Sequence, residues 1–373
     1  MSYSFFVTAA KGTEPALRDE LRALRVPDVR ADRGGVHFGG SLKDAYRVCM
    51  WSRVGIRVLQ KIAEFDCDSD AALYAGARDV AWTDTLDASR TVSVSAVARD
   101  SRLTHTNFIA QRVKDAIVDH VRDKSGARPD VDRDDADVQV FAHVVKDRGT
   151  LYLDMGGTSL HRRGYRAESR GAPLRENLAA AMVLLSGWDW DLPLCDPMCG
   201  SGTIAIEAAM MASGVAPHLH HERFGFERWL SYDDAAKSQM ADVRADAKDR
   251  AATNKRTPQI FAADNDASAV ALTRKNAAKA GVTISTEVQS VFELGPSDPP
   301  GFVVTNPPYG VRISGGEYFE EELADLFLGL HGHRITVICA TPDLEDAMRL
   351  RPVRRQPLFN GDIECRLYNW VIP

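Results

Sequence analysis

Leu192-Pro193-Leu194-Cys195-Asp196-Pro197-Met198-Cys199-Gly200-Ser201-Gly202-Thr203 is the stretch on which the fold turns. An apolar run ends in an acid, passes through a turn with glycines at 200 and 202, and enters the apolar helical residues that begin at Ile204. Glycines let the backbone approach a ligand closely, and the helix N-terminus behind them offers free N–H groups. The spacing is not the G-x-G-x-x-G of dinucleotide folds, and the Lys of a phosphate loop is missing. An acid at the strand end repels phosphate and suits a cationic or hydroxyl-bearing ligand, such as an ammonium group. A purely structural strand-to-helix turn would also use these glycines. The neighbouring elements have to decide.

Working outward, strand and helix alternate from Pro173 onward, which predicts a doubly wound parallel sheet. Helices are expected over 174–186, 202–213, 233–253, 267–280 and 319–331, and strands over 192–195, 259–263, 284–288, 302–305 and 334–340. Asn360-Gly361, a strong hairpin signal, joins two closing strands at 354–359 and 363–371. The strand Ile260-Phe261-Ala262-Ala263 ends in Asp264, where such folds place a ribose-binding acid. Asp266 reads as the N-cap of the next helix. The most specific signal is Asn306-Pro307-Pro308-Tyr309-Gly310, directly after the apolar strand Phe302–Thr305. Two prolines stiffen the turn and withhold their N–H groups, leaving carbonyls and the Asn306 amide oxygen as acceptors. Two acceptors aimed at an exocyclic –NH2 would turn its nitrogen lone pair away from the ring and toward an electrophile. Tyr309 would supply a face for the base to stack on.

Ahead of this region stand two smaller α/β units. Residues 1–65 alternate strand and helix as a ferredoxin-like unit does, and residues 66–160 form a second unit whose strands include Thr91–Val97 and Val138–Val145. His161–Arg175, HRRGYRAESRGAPLR, holds five arginines and one tyrosine and reads as a basic linker opening the region 161–373. Its Arg162, Arg163, Tyr165, Arg166 and Arg170 are candidate RNA contacts, with Arg99, Arg102, Arg112 and Lys114 behind them. The formal net charge is −6, so phosphate binding has to come from such a local patch. Six scattered cysteines suggest reduced thiols and a cytoplasmic chain, and the N-terminal MSYSFFVTAAKG lacks the pattern of a secretory signal. Neither Cys195 with Cys199 nor the group His218, His220 and His221 has the partners that complete a metal site.

Asp137-Val138, His161 through Arg166, Pro173 through Ala179, DPMCGSGT and Asn306-Pro307-Pro308-Tyr309 together resemble the THUMP-domain guanine-N2 RNA methyltransferases of class I, closest to the bacterial branch that acts on 23S ribosomal RNA. The resemblance runs nearly end to end. It implies an α/β chain in which a Rossmann-like class I methyltransferase domain follows a ferredoxin-like plus THUMP RNA-binding module. It also implies S-adenosyl-L-methionine as cofactor and structured RNA as partner. By the same resemblance Asp196, Pro197, Gly200 and Gly202 would hold the methionine part, Asn177 would flank that pocket and Asp264 would hold the ribose. Asn306, Pro307 and Pro308 would clamp the target amine, with Tyr309 stacked on the base. The family usually has an acid for the adenine amine where this chain has Ser290, a weaker partner. Four alternatives stay open: a transfer-RNA target, a DNA adenine-N6 methyltransferase, a non-catalytic RNA-binding protein, and a dehydrogenase, which the missing G-x-G-x-x-G opposes.

Overall fold

The computed structural model describes residues 2–166, 174–308 and 318–373. The chain opens with β1 (Tyr3–Thr8), α1 (Glu14–Ala23), β2 (Arg30–Asp32), β3 (Gly35–Gly40), α2 (Leu42–Trp51) and β4 (Arg57–Asp66). Then come α3 (Asp70–Arg78), β5 (Thr91–Arg99), α4 (Thr106–Ser125), β6 (Asp130–Val131), β7 (Val138–Val145) and β8 (Arg148–Asp154). Their local causes are visible. Ser41 and Asp44 close a capping box at the start of α2. Residues along β7 alternate between buried and half-buried, as a strand with one covered face requires.

The eight strands form one sheet in the order β2-β3-β1-β4-β8-β7-β5-β6. Two separate units were expected from the sequence; hydrogen bonding joins them. The seam is β4, ten residues long. Residues 57–60 pair with β1 on one edge, and residues 59–66 pair with β8 on the other, with a bulge between Lys61 and Ala63. Local patterning marks each strand but does not say which edges meet.

The second half contains α5 (Glu176–Ser186), β9 (Leu194–Asp196), α6 (Thr203–Ala212), α7 (Asp234–Thr253), β10 (Ile260–Asp264), α8 (Ala267–Lys279) and β11 (Ser285–Val288). It closes with β12 (Phe302–Thr305), α9 (Phe319–Leu328), β13 (Arg334–Cys339), α10 (Asp343–Met348), β14 (Arg354–Asn360) and β15 (Ile363–Val371). The sheet runs β11-β10-β9-β12-β13-β15-β14. From β11 to β13 it is parallel, while β15 and β14 are antiparallel additions. The doubly wound expectation therefore holds for five strands, and the expected hairpin closes the C-terminus. There the turn at Gly361, with φ +65°, is too short for a parallel crossover.

The chain winds outward from β9 to β11 and returns to β12 on the other side of β9. The crevice at that reversal, outside the C-terminal strand ends, is where open α/β sheets take ligands. All four residues of β12 are buried, and nine of the ten in α6 are buried. A helix apolar on every side needs cover on every side. One apolar core runs through both halves of the molecule, from Phe5 and Leu17 to Ala205 and Val304. Lys43 on α2 pairs with Asp242 on α7 at 2.7 Å.

Candidate active site

Three strand ends build the site. Asp196 closes β9 and is buried, with 1% of its surface exposed. Its carboxylate accepts a hydrogen bond from Thr305 Oγ1, at the end of the adjacent β12, at 2.8 Å. Burial pushes the Asp196 carboxyl up to about 7, against the stabilising bonds from Thr305 and the Met198 amide and with the Asp264 charge nearby. Pro197, buried beside it, leads into the turn.

Gly200 and Gly202 have φ of +54° and +81°. Their turn is fixed from β10 and α8. The Gly200 N–H donates to Asp264 Oδ2 at 2.8 Å, Thr273 Oγ1 donates to the Gly200 carbonyl at 2.9 Å, and Asn276 Nδ2 donates to the Ser201 carbonyl at 3.0 Å. A Cβ on Gly202 would stand 2.6 Å from Thr273 Cγ2, whereas one on Gly200 would meet nothing within 4 Å. Gly202 is thus a packing glycine, and Gly200 faces open space. Asp264 at the end of β10 is half-buried and also accepts the Asp266 N–H at 3.0 Å. Asp266 caps α8 through the Ser268 N–H at 2.8 Å, the structural role expected of it.

Asn306 directly follows β12. Its Oδ1 is buried and has no hydrogen-bond partner among the described residues. Pro307 is buried and Pro308 exposed; Tyr309 lies outside the described residues. Asn177 on α5 is likewise buried, with Nδ2 on the Val54 carbonyl at 3.5 Å and Oδ1 without a partner among the described residues. Buried acceptors left without donors carry a free-energy cost, and a ligand that donates removes it. Two orphaned amide oxygens, two carboxylates and an open glycine make a donor-seeking, cation-seeking set. A sulfonium compound bearing an ammonium group, ribose hydroxyls and an amine fits that chemistry.

Ser290 follows β11 and caps the short helical turn Val291–Glu293, accepting from the Phe292 N–H at 3.4 Å. Its hydroxyl still has its own O–H and a second lone pair for a ligand. Thr305, Thr273 and Asn276, which brace the acids and the turn, escaped the sequence analysis. The signal available was a polar residue at an otherwise apolar buried position, as at Thr305 in Phe302–Thr305. A cavity of about 880 Å³ opens at the opposite edge of the same sheet, near Pro193, Ile260, Phe302 and His333. None of the orphaned acceptors lines it, and the strands begin there rather than end, so the site is assigned to the C-terminal edge.

The basic linker requires a correction. Arg163 and Tyr165 were expected to face RNA, yet both are buried. Arg163 pairs with Glu207 on α6 at 3.3 Å, with neither side chain exposed, and Tyr165 Oη donates to the same carboxylate at 3.2 Å. A planar guanidinium is anchored better by a buried carboxylate and carbonyls than a sequence of surface-type residues suggests. Arg166 is half-buried, with Nε 3.2 Å from Glu176 Oε1 but off the hydrogen-bonding direction. Arg162 is exposed, and Arg170 lies outside the described residues. His161, half-buried, is pulled down to about 4 by burial and by Arg175, Arg162, Arg163 and Arg166, so it is neutral near pH 7. The second-line candidates are all paired: Arg99 with Asp100, Arg102 with Asp68, Arg112 with Asp70 and Lys114 with Asp115. Among the described residues no group of His, Cys, Asp or Glu side chains is arranged to hold a metal ion, and no helix is long and apolar enough to cross a membrane.

Comparison with known proteins gives three family matches. Residues 4–59 match the RlmL ferredoxin-like domain, residues 67–154 the THUMP domain, and residues 163–369 the RMKL-like methyltransferase domain. The ribosomal RNA large subunit methyltransferase K/L of Syntrophotalea carbinolica is 40% identical over 99% of this chain and 53% of its own. The chain spans about half the length of the relatives of that name. Among solved structures, SMU.472 complexed with SAH superposes with a TM-score of 0.88 at 27% identity, covering all of this chain and 98% of that one. A predicted N6-adenine-specific DNA methylase from Listeria monocytogenes superposes at 0.89 with 30% identity, covering all of this chain and 97% of that one.

Proposed function

The chain belongs to the RMKL-like methyltransferase family, with ferredoxin-like and THUMP domains in front, and on that premise we propose that it methylates the exocyclic N2 of a guanosine in 23S ribosomal RNA. Its cofactor is S-adenosylmethionine, which when bound supplies an electrophilic methyl group. The observation that carries the proposal is the orphaned, buried Asn306 Oδ1 at the end of β12, one crevice away from Asp196 and Gly200. Asn306 Oδ1 and the Pro307 carbonyl accept the two amine hydrogens. Pro307 and Pro308 have no N–H with which to compete for those acceptors. So held, the nitrogen lone pair points at the methyl rather than into the ring. Asp196 and Asp264 hold the cofactor's ammonium and ribose, Asn177 and Pro197 wall the same pocket, and Ser290 meets the adenine. The enzyme works by orientation and fixed hydrogen bonds, with no covalent nucleophile. The target base must be splayed out of its stack to reach Asn306, with Tyr309 stacked against it. Arg162 and Arg170 contact the RNA, while Arg166 is turned onto Thr203 and Glu176, and the site of action is the cytoplasm.

The name of the Listeria neighbour supports a second reading, DNA adenine-N6 methylation, because the clamp grips any exocyclic amine. One experiment separates them: transfer from labelled S-adenosylmethionine to purified large-subunit ribosomal RNA, transfer RNA and DNA, with nucleoside analysis. Label in N2-methylguanosine from ribosomal RNA is expected. The same nucleoside from transfer RNA alone moves the target, and label only in N6-methyladenine from DNA overturns the RNA assignment.

A further inference from the structure

One side of α6 is gripped at three successive turns. Thr203, Glu207 and Met210 stand at i, i+4 and i+7, a single helical stripe. Arg166 Nη2 donates to Thr203 Oγ1 at 3.3 Å. Glu207 accepts from Tyr165 Oη at 3.2 Å and from Arg163 Nε at 3.3 Å. The Met210 carbonyl accepts from Arg53 Nη2 at 3.4 Å, and the same nitrogen donates to the Val215 carbonyl at 2.7 Å. Arg163 also donates to the carbonyls of Leu160 and Arg53. Arg53 lies between α2 and β4, and its backbone N–H is held by half-buried Glu20 of α1 at 2.6 Å. A continuous polar chain, buried over Arg53, Arg163 and Glu207, thus runs from α1 in the ferredoxin-like domain, through the linker, to α6. The residue before Thr203 is Gly202, the end of the cofactor turn.

We infer that Arg163 and Glu207 are positioning residues, fixing α6 against the front domain and thereby setting the Gly200–Gly202 turn for the cofactor. A helix is stiff along its axis, so a shift at Glu207 is carried to Gly202, five residues or about 7.5 Å away. Stability alone does not call for such a pair, because replacing a buried ion pair with apolar residues is often neutral or favourable. Its directional hydrogen bonds to the Leu160 and Arg53 carbonyls and from the Tyr165 hydroxyl fix one orientation instead. The inference rests on the methyltransferase assignment for the identity of the ligand, but cofactor-product binding can be read without any methyl transfer.

The test uses the full chain carrying Arg163→Met with Glu207→Leu, which leaves neither charge alone. The readouts are melting temperature, calorimetric affinity for S-adenosylhomocysteine, hydrogen exchange of the amides of residues 200–206, and affinity for large-subunit ribosomal RNA. A folded variant is expected to bind S-adenosylhomocysteine about 10-fold more weakly, to exchange faster over 200–206, and to keep its RNA affinity and salt dependence. Unchanged product affinity and exchange in a folded variant would overturn the inference. So would an unchanged product affinity accompanied by weakened RNA binding, which would return Arg163 to an RNA-contacting role. Should the double variant not fold, Tyr165→Phe decides. Loss of that one hydroxyl is expected to weaken product binding about 3-fold, and parental affinity would sink the idea. If methyl transfer to RNA is never detected while these affinities shift as stated, the target assignment fails and the positioning role stands.

Discussion

Asp196 carries the clearest consequence for a single residue. Its folded carboxyl titrates about 7, above its ordinary value of 3.8, because burial penalises the charge. Between those values the native state holds a proton that the unfolded chain has released. Stability from this group therefore falls as pH rises from about 4 to about 7. Asp196→Asn keeps an acceptor for Thr305 and removes the charge. The variant should melt higher than the parent at pH 8, by ~2–4 °C per kcal/mol gained, with the gap closing toward pH 5. It should also bind S-adenosylhomocysteine far more weakly at pH 8, with that gap too narrowing toward pH 5, where the parent carboxyl is protonated. Calorimetry and thermal melts at the two pH values check both halves. Parental binding by the variant would remove Asp196 from the cofactor site. Asn306→Ala tests the other pole. Turnover should fall about 100-fold or more while product affinity stays near the parent's, since Asn306 is assigned to the amine and not to the cofactor. Loss of product binding in that variant would reverse the assignment. Both residues were legible in the sequence, because an acid at a strand end and Asn-Pro-Pro-Tyr after an apolar strand are local patterns. Thr305 was not, because its role depends on the side-by-side pairing of β9 and β12.

At the scale of elements, the two glycines of one turn have different tasks, which only the packing around α8 reveals. Gly202→Ala would drive a Cβ into Thr273 and force a positive φ on alanine. A loss of about 1–3 kcal/mol in stability is expected, read as a lowered melting temperature. Gly200→Ala has room, so its cost in stability should be only the positive φ, about 1 kcal/mol. Its methyl instead projects into the open space beside Asp264, and weakened S-adenosylhomocysteine binding with a near-parental melting curve is the expected result. If the two variants behave alike, the division of roles is wrong. The core elements matched their expected spans closely, α8 at 267–279 against 267–280 and β12 at 302–305. Long amphipathic or fully apolar segments announce their period. Most elements that went unseen were short, β2 with three residues, β6 with two and α10 with six, but the nine-residue α3 also went unseen, because it buries only Leu73 and Ala77 and so carries a thin apolar stripe. A pattern needs more than one period to be recognised.

For the whole molecule, RNA binding has to come from unpaired basic groups, and of the linker arginines described, Arg162 and Arg175 stand exposed without an ion pair among the described residues, unlike Arg163 and Arg166. Reversing both, Arg162→Glu with Arg175→Glu, should weaken RNA binding and lower the slope of log K against log salt by about 1–2. Affinity for S-adenosylhomocysteine should stay as in the parent. Titrations at several salt concentrations read both, and an unchanged slope would move the RNA path elsewhere. By itself the sequence determined the fold class and the three-part order of the chain, and it supplied the candidates for the cofactor turn and the amine clamp. Each is written in contiguous residues whose local chemistry has few other uses. Only the tertiary structure decided that β4 and β8 fuse the two front units into one sheet. Only it decided that the C-terminal hairpin joins the large sheet through β15, antiparallel to β13. It also turned Arg163 and Tyr165 from surface contacts into buried partners of Glu207. The physical reason is common to all three: strand-edge pairing and burial depend on groups distant in sequence, and an arginine's own neighbours do not say whether its charge will meet water, phosphate or a buried carboxylate.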